Sequence, residues 1–195
     1  MTGSLKITGA QVWEGAERGF VERDVLIENG VVVEAAEGSA GSGEVPTFDA
    51  SGQYVIPGLI DAHFHAYATS MDGLENERGP LSYAAINGTL RLEKALHRGF
   101  TTVRDVAGGD IGLARSIEAG HFDSPRYHFT GPALSQTGGH GDPRSQHVDV
   151  CFSHGHMCEV VDGVDALRVA VRDRLRTGAH AIKVMASGGV VSWLL

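Results

Sequence analysis

Hydrophobic and polar positions change rhythm near residue 57 of this 195-residue chain. Before it, apolar positions come in short alternating or β-branched runs: Leu5-Lys6-Ile7-Thr8, Val25-Leu26-Ile27-Glu28 and Val31-Val32-Val33-Glu34. Such runs, with a period near two, predict strands. Asn29-Gly30 separates the second run from the third, and both residues tolerate positive φ, so the spacing predicts a tight hairpin. Residues 1–56 therefore read as a small β-domain, with the Gly- and Ser-rich stretch 37–44 as a loop.

After residue 57 the pattern becomes strand, helix, strand, helix. Val55 to Asp61 reads as a buried strand, followed by a helix from Leu81 to Arg98 that carries Ile86, Leu90 and Leu92 and stops at Gly99. Thr101 to Val106 is the next strand, then a short helix with Leu113 and Ile117 that ends at Gly120, then a third strand over Tyr127 to Thr130. Val164, Leu167, Val171 and Leu175 fall at helical spacing, with Asp162 as the expected N-cap and Gly178 as the stop. Ala181 to Ala186 is the fourth strand. Alternating units of this kind predict parallel strands, and right-handed crossovers leave a doubly wound sheet or a β/α barrel over residues 57–195.

Charge narrows the partners. A formal net charge of -8 would repel nucleic acid and anionic membrane, so neither is expected as a partner. The first residues lack a basic segment leading into an apolar core, and no window is apolar enough to span a bilayer, so a cytoplasmic protein is expected. The two cysteines, Cys151 and Cys158, make no disulfide framework.

The chemistry concentrates in a few places. On a strand, alternate side chains share a face, so His63 and His65 in Asp61-Ala62-His63-Phe64-His65 can hold one metal ion, or can be two ordinary polar side chains at a strand end. Lys183 stands on an otherwise apolar strand, where its stem can also simply snorkel along the rim. His140 lies between glycines in a loop. Cys151, His154, His156 and Cys158 put four further candidate ligands within eight residues, enough to close a structural zinc site, but their spacing fits no zinc-finger pattern. The segments 66–80 and 131–162 are expected to form pocket walls.

Taken in order, Pro57-Gly58-Leu59-Ile60-Asp61-Ala62-His63-Phe64-His65, Thr101-Thr102-Val103-Arg104-Asp105, Gly138-Gly139-His140-Gly141-Asp142 and Ile182-Lys183-Val184-Met185-Ala186-Ser187-Gly188-Gly189 resemble the metal-dependent amidohydrolase superfamily, in its imidazolonepropionase-like and prolidase-like branch. The resemblance implies an α/β fold: the first four units of a TIM (β/α)8 barrel, preceded by part of a small β-sandwich. It implies two divalent metal ions, most often zinc, with His63 and His65 as ligands and Lys183, carboxylated, bridging them. His140 would polarise the scissile carbonyl. Apart from the resemblance, Arg144 in the 131–162 segment is a candidate to bind a substrate carboxylate. Arg104 and Asp105 are expected to be a structural ion pair or hydrogen-bonding groups.

The implied reaction is hydrolysis of an amide, dipeptide-like or cyclic-amide C–N bond in a small-molecule substrate by a metal-activated water. Deamination of a heterocycle is the second reading, against which Lys183 stands. The resemblance also implies two histidines and an aspartate from strands five, six and eight, and these are not in the chain. A barrel of this kind takes about 250 residues. The third reading is therefore a non-catalytic fragment that binds metal or forms a homo-oligomer through an open edge. The expectation is that the 195-residue chain alone does not turn over substrate.

Overall fold

The computed structural model describes residues 3–33, 45–189 and 192. The loop expected over 37–44 lies outside them. The backbone divides into two compact units, Met1–Pro57 and Gly58–Leu195.

The first unit is a five-stranded sheet. Strands β1 (Ser4–Trp13) and β2 (Phe20–Glu28) pair antiparallel, and β3 (Val31–Val33) follows β2 through Asn29 and Gly30 at φ 51° and 79°. Both φ values are positive, as the hairpin turn requires. Strands β4 (Thr47–Asp49) and β5 (Tyr54–Val55) each lie parallel to β1. Ala10, Val25, Leu26 and Ala50 are buried, and Phe20 bridges the Trp13 and Tyr54 rings at 5.0 and 4.9 Å.

The expected buried strand from Val55 to Asp61 is two elements. Val55 ends β5, and after Pro57-Gly58 a new strand, β6 (Leu59–Phe64), starts in the second unit. Gly58 sits so close to Thr101 that a Cβ would overlap it. Strand β6 is also largely exposed: Ile60 is 70% accessible.

The second unit continues with α1 (Gly73–Arg78), α2 (Leu81–His97), β7 (Phe100–Asp105), α3 (Ile111–Glu118) and β8 (Arg126–Phe129). Strands β6, β7 and β8 form a parallel sheet in sequential order. Helices α2 and α3 pack against it, and Gly99 ends α2 at φ 92°, a conformation that costs glycine little. In β7, Val103 and Asp105 are buried while Arg104 is exposed, as strand alternation demands. Leu92, Val103, Phe129 and Leu134 are fully buried in this unit, each contributing about 1.5–3 kcal/mol.

Two helices present a different face from the expected one. In α2, Ile86 and Leu90 are exposed, while Ala84, Gly88, Leu92 and Ala95 are buried. Gly88 lets the helix approach the Tyr67 ring, which would stand 3.2 Å from a Cβ there. Helix α4 (Val164–Arg176) buries Ala170 and Arg174, leaving Val164, Leu167 and Leu175 exposed. Arg174 donates through Nε to the Pro132 carbonyl at 2.9 Å and pairs with Glu159, interactions that a hydrophobic-periodicity reading does not score. Asp162 does not cap α4. Gly163, at φ 85°, takes the cap position, and the Asp162 carboxylate accepts from the Thr137 N–H and hydroxyl instead.

The segment 131–162, expected as loop, contains two short parallel strands, β9 (Ala133–Ser135) and β10 (Cys158–Val160). The expected fourth strand over 181–186 narrows to a single bridge, Val184 to Leu134, with Leu134 N–H donating to the Lys183 carbonyl and Met185 N–H to the Leu134 carbonyl, both at 2.9 Å. Among the described residues no helix is long and apolar enough to cross a membrane.

Candidate active site

His63 and His65 come together at the end of β6. Their ring centroids are 5.1 Å apart, so the alternation of the strand brings both imidazoles to one side. Their backbone is held firmly: His63 N–H donates to Asp61 Oδ1 at 2.9 Å, Arg91 reaches over from α2 to the His65 carbonyl at 3.2 Å, and Val106 N–H donates to the Phe64 carbonyl at 3.0 Å. Burial, then the neighbouring His63, lowers the pKa of His65 and keeps its ring neutral, the form that binds metal. The charge of Lys183 also reaches His65 and acts in the same direction.

The Nδ1 atom of His65 is buried without a hydrogen-bond partner. Buried polar atoms normally have one; the Ala107 backbone stands close to this ring and favours its protonated form, but does not satisfy Nδ1. Two imidazoles side by side, one with an unpartnered nitrogen, fit a divalent ion such as zinc. Among the described residues no third His, Cys, Asp or Glu converges with them.

His65 opens into a cavity of about 290 Å³ that His140 also lines. His140 follows β9, its Nδ1 is 2.7 Å from the Ser192 hydroxyl, and its ring packs where a Cβ on Gly189 would stand. His63 and Lys183 are not among the lining residues. Neither is Arg144, whose guanidinium grips Asp142 with two hydrogen bonds of 2.8 and 2.6 Å; Asp142 itself lines the cavity. The segments 66–80 and 131–162 supply most of the remaining wall.

Arg104 and Asp105 are not an ion pair. Arg104 Nε donates to the Ala62 carbonyl at 3.1 Å, whereas Asp105, fully buried, accepts from Ala66 N–H, Ala107 N–H and the Tyr127 hydroxyl. Burial raises the Asp105 pKa to about 6 against those hydrogen bonds. Asp105 thereby ties the residue after His65 to β7 and β8. The Cys151, His154, His156, Cys158 cluster does not assemble: Cys151 is exposed, His154 lies 3.4 Å from Glu159, His156 Nε2 contacts the Gly79 carbonyl, and Cys158 is buried.

Glu77 escaped the sequence reading. Its carboxylate, 9% exposed, accepts from Met157 N–H at 3.0 Å, and burial raises its pKa. A Cβ on Gly155 would overlap this carboxylate. The available signal was Asp72, which caps α1 by accepting from Leu74 and Glu75 N–H groups and so announces the helix that carries Glu77.

Comparison with known proteins decides the family. The amidohydrolase family profile matches residues 54–194. The chain belongs to the amidohydrolase family. It is 37% identical over 155 residues to the ochratoxinase of Aspergillus niger, covering 71% of this chain and 32% of that one. A prolidase crystallised with N-methylphosphonate-L-proline superposes with a TM-score of 0.87 at 38% identity, over 97% of this chain and 48% of the prolidase. A Xaa-Pro dipeptidase with bound methionine superposes at 0.79 and 26% identity, with the same coverage of 97% and 48%. Within the amidohydrolases the likeness is thus to prolidase and ochratoxinase relatives. The chain spans about a third of the ochratoxinase's length and about half of the prolidase's.

Proposed function

We propose that this chain is the metal-binding part of a hydrolase that cleaves an amide or dipeptide-like C–N bond. The observation that carries the reading is the side-by-side His63 and His65 pair, of which His65, with its partnerless buried Nδ1, lines the same cavity as His140. The parallel strands β6 to β8 with their crossing helices are read as the start of a β/α barrel, and the five-stranded unit as part of a small β-sandwich.

In this reading His63 and His65 would hold a divalent ion through imidazole nitrogens, and Lys183, as its carbamate, would help to hold a second. Bound there, the ions supply Lewis acidity and lower the pKa of water. His140 stands ready to donate a hydrogen bond to an oxygen that gains negative charge, while the Ser192 hydroxyl orients its ring. The buried Asp105 network keeps the His65 backbone in register with β7. The cavity is the place for the substrate beside the bond to be cut.

Zinc or cobalt uptake by the purified chain tests this. Uptake is expected to fall about tenfold or more in His63→Ala and in His65→Ala, as for loss of a direct ligand. Equal uptake by both variants and the native chain would overturn the reading.

A further inference from the structure

We infer that the cavity beside His65 and His140 selects an uncharged, apolar group on the substrate, of the size of an aromatic side chain. The inference rests on the hydrolase reading for its place in a reaction, but its evidence is the wall itself.

Met71, Met157, Met185, Ala68, Ala107 and Pro143 are six of the fifteen residues that line the cavity. Thioether side chains adapt to irregular shapes and make favourable contacts with aromatic rings. A volume of about 290 Å³ is ample for a ring and its linker, since an engineered apolar cavity of ~150 Å³ holds benzene.

Apart from His65 and His140, the polar side chains of the wall are already engaged. Asn76 Oδ1 accepts from Thr69 and Ser70 N–H groups, both at 2.8 Å, and its Nδ2 donates to the Ser70 carbonyl at 2.7 Å. Ser70 donates its hydroxyl to Glu75 at 2.6 Å. Asp142 is taken by Arg144 and by Gly138 N–H, and Glu77 by Met157 N–H. No Lys or Arg is among the described residues lining the cavity, while two carboxyl groups are. Away from the two histidines, a substrate anion would therefore find no cationic side chain to replace its water, and its desolvation would go uncompensated. An apolar group loses nothing there and gains burial.

Glu77 holds the walls at this spacing. It belongs to α1 on one side and binds the backbone of Met157 on the other, so the residues that contact the apolar group cannot separate without exposing a buried carboxyl.

The test compares three probes on the purified full chain by calorimetry or ligand-detected NMR: the N-acetyl amides of phenylalanine, glycine and aspartate. The phenylalanine probe is expected to bind about tenfold or more tighter than either other, the scale set by burying one aromatic side chain. Ala68→Phe, which fills the cavity, should abolish that preference. Met71→Arg, at a residue 77% exposed and so safe for folding, should instead strengthen the aspartate probe severalfold. Absent binding of the phenylalanine probe, equal or tighter binding of the others, or an unchanged preference in both variants would overturn the inference. Metal uptake in His63→Ala separates the two ideas. Normal uptake in that variant with the preference intact removes the hydrolase reading alone, and histidine-dependent uptake without the preference removes the pocket inference alone.

Discussion

Tyr127 donates its hydroxyl to Asp105 Oδ2 at 2.9 Å, joining β8 to β7 through two buried side chains. The phenol is pushed well above its ordinary pKa by burial and by the adjacent Asp105, so it stays a donor at every pH the fold survives. Tyr127→Phe removes that donor while keeping the ring. It is expected to destabilise the chain by about 1–3 kcal/mol in urea unfolding, the usual loss for a buried partner. An unchanged midpoint would show that the hydroxyl is dispensable.

The pH dependence of stability has a definite sign at Asp105. Its pKa rises from 3.8 to about 6 on folding, so the folded chain holds this proton more tightly than the unfolded one. The stability it contributes is complete below about pH 4 and is lost as pH rises through about 6, a change on the order of 3 kcal/mol. Asp105→Asn should therefore differ from the native chain by an amount that varies over that window and is constant above it. Parallel stability curves from acid to neutral pH would contradict the assignment.

Glu77→Ala should loosen the 155–158 segment. Met157 N–H would lose its acceptor in a buried setting, at a cost of about 1–3 kcal/mol. Hydrogen exchange at Met157 is expected to speed up in the variant, with Glu77→Gln intermediate because one acceptor oxygen survives. Unaltered protection at Met157 in Glu77→Ala would refute the clamp.

The two thiols should separate cleanly. Burial, followed by the neighbouring Glu77, pushes the Cys158 thiol up to about 12, whereas Cys151 is exposed. At about pH 8 the thiolate fraction of Cys158 is then on the order of one in ten thousand. A disulfide dye is expected to label Cys151 promptly and Cys158 only after denaturant is added. Equal labelling rates in the native chain, read by peptide mass spectrometry, would be inconsistent with this burial.

Local rules carried a large part of this fold. Asn29-Gly30 dictates its hairpin because few residues accept two positive φ values in succession, and Gly99 ends α2 for a related reason. The parallel order of β6, β7 and β8 follows from strand and helix alternation. The nearness of His63 to His65 was legible in their spacing, since the two are separated by a single residue at the end of β6.

Tertiary structure decided what local rules cannot weigh. Gly163 displaced Asp162 as the cap of α4 because Thr137, 25 residues away, offers the carboxylate two donors. Helices α2 and α4 bury Gly88, Ala170 and Arg174, since close approach and buried hydrogen bonds outweigh a stripe of large apolar side chains. Glu77 meets Met157 across 80 residues, and His65 shares a cavity with His140, through contacts that no periodicity encodes. A sequence specifies conformational preference residue by residue; the partner of a buried polar group is chosen only when distant segments fold together and water is excluded.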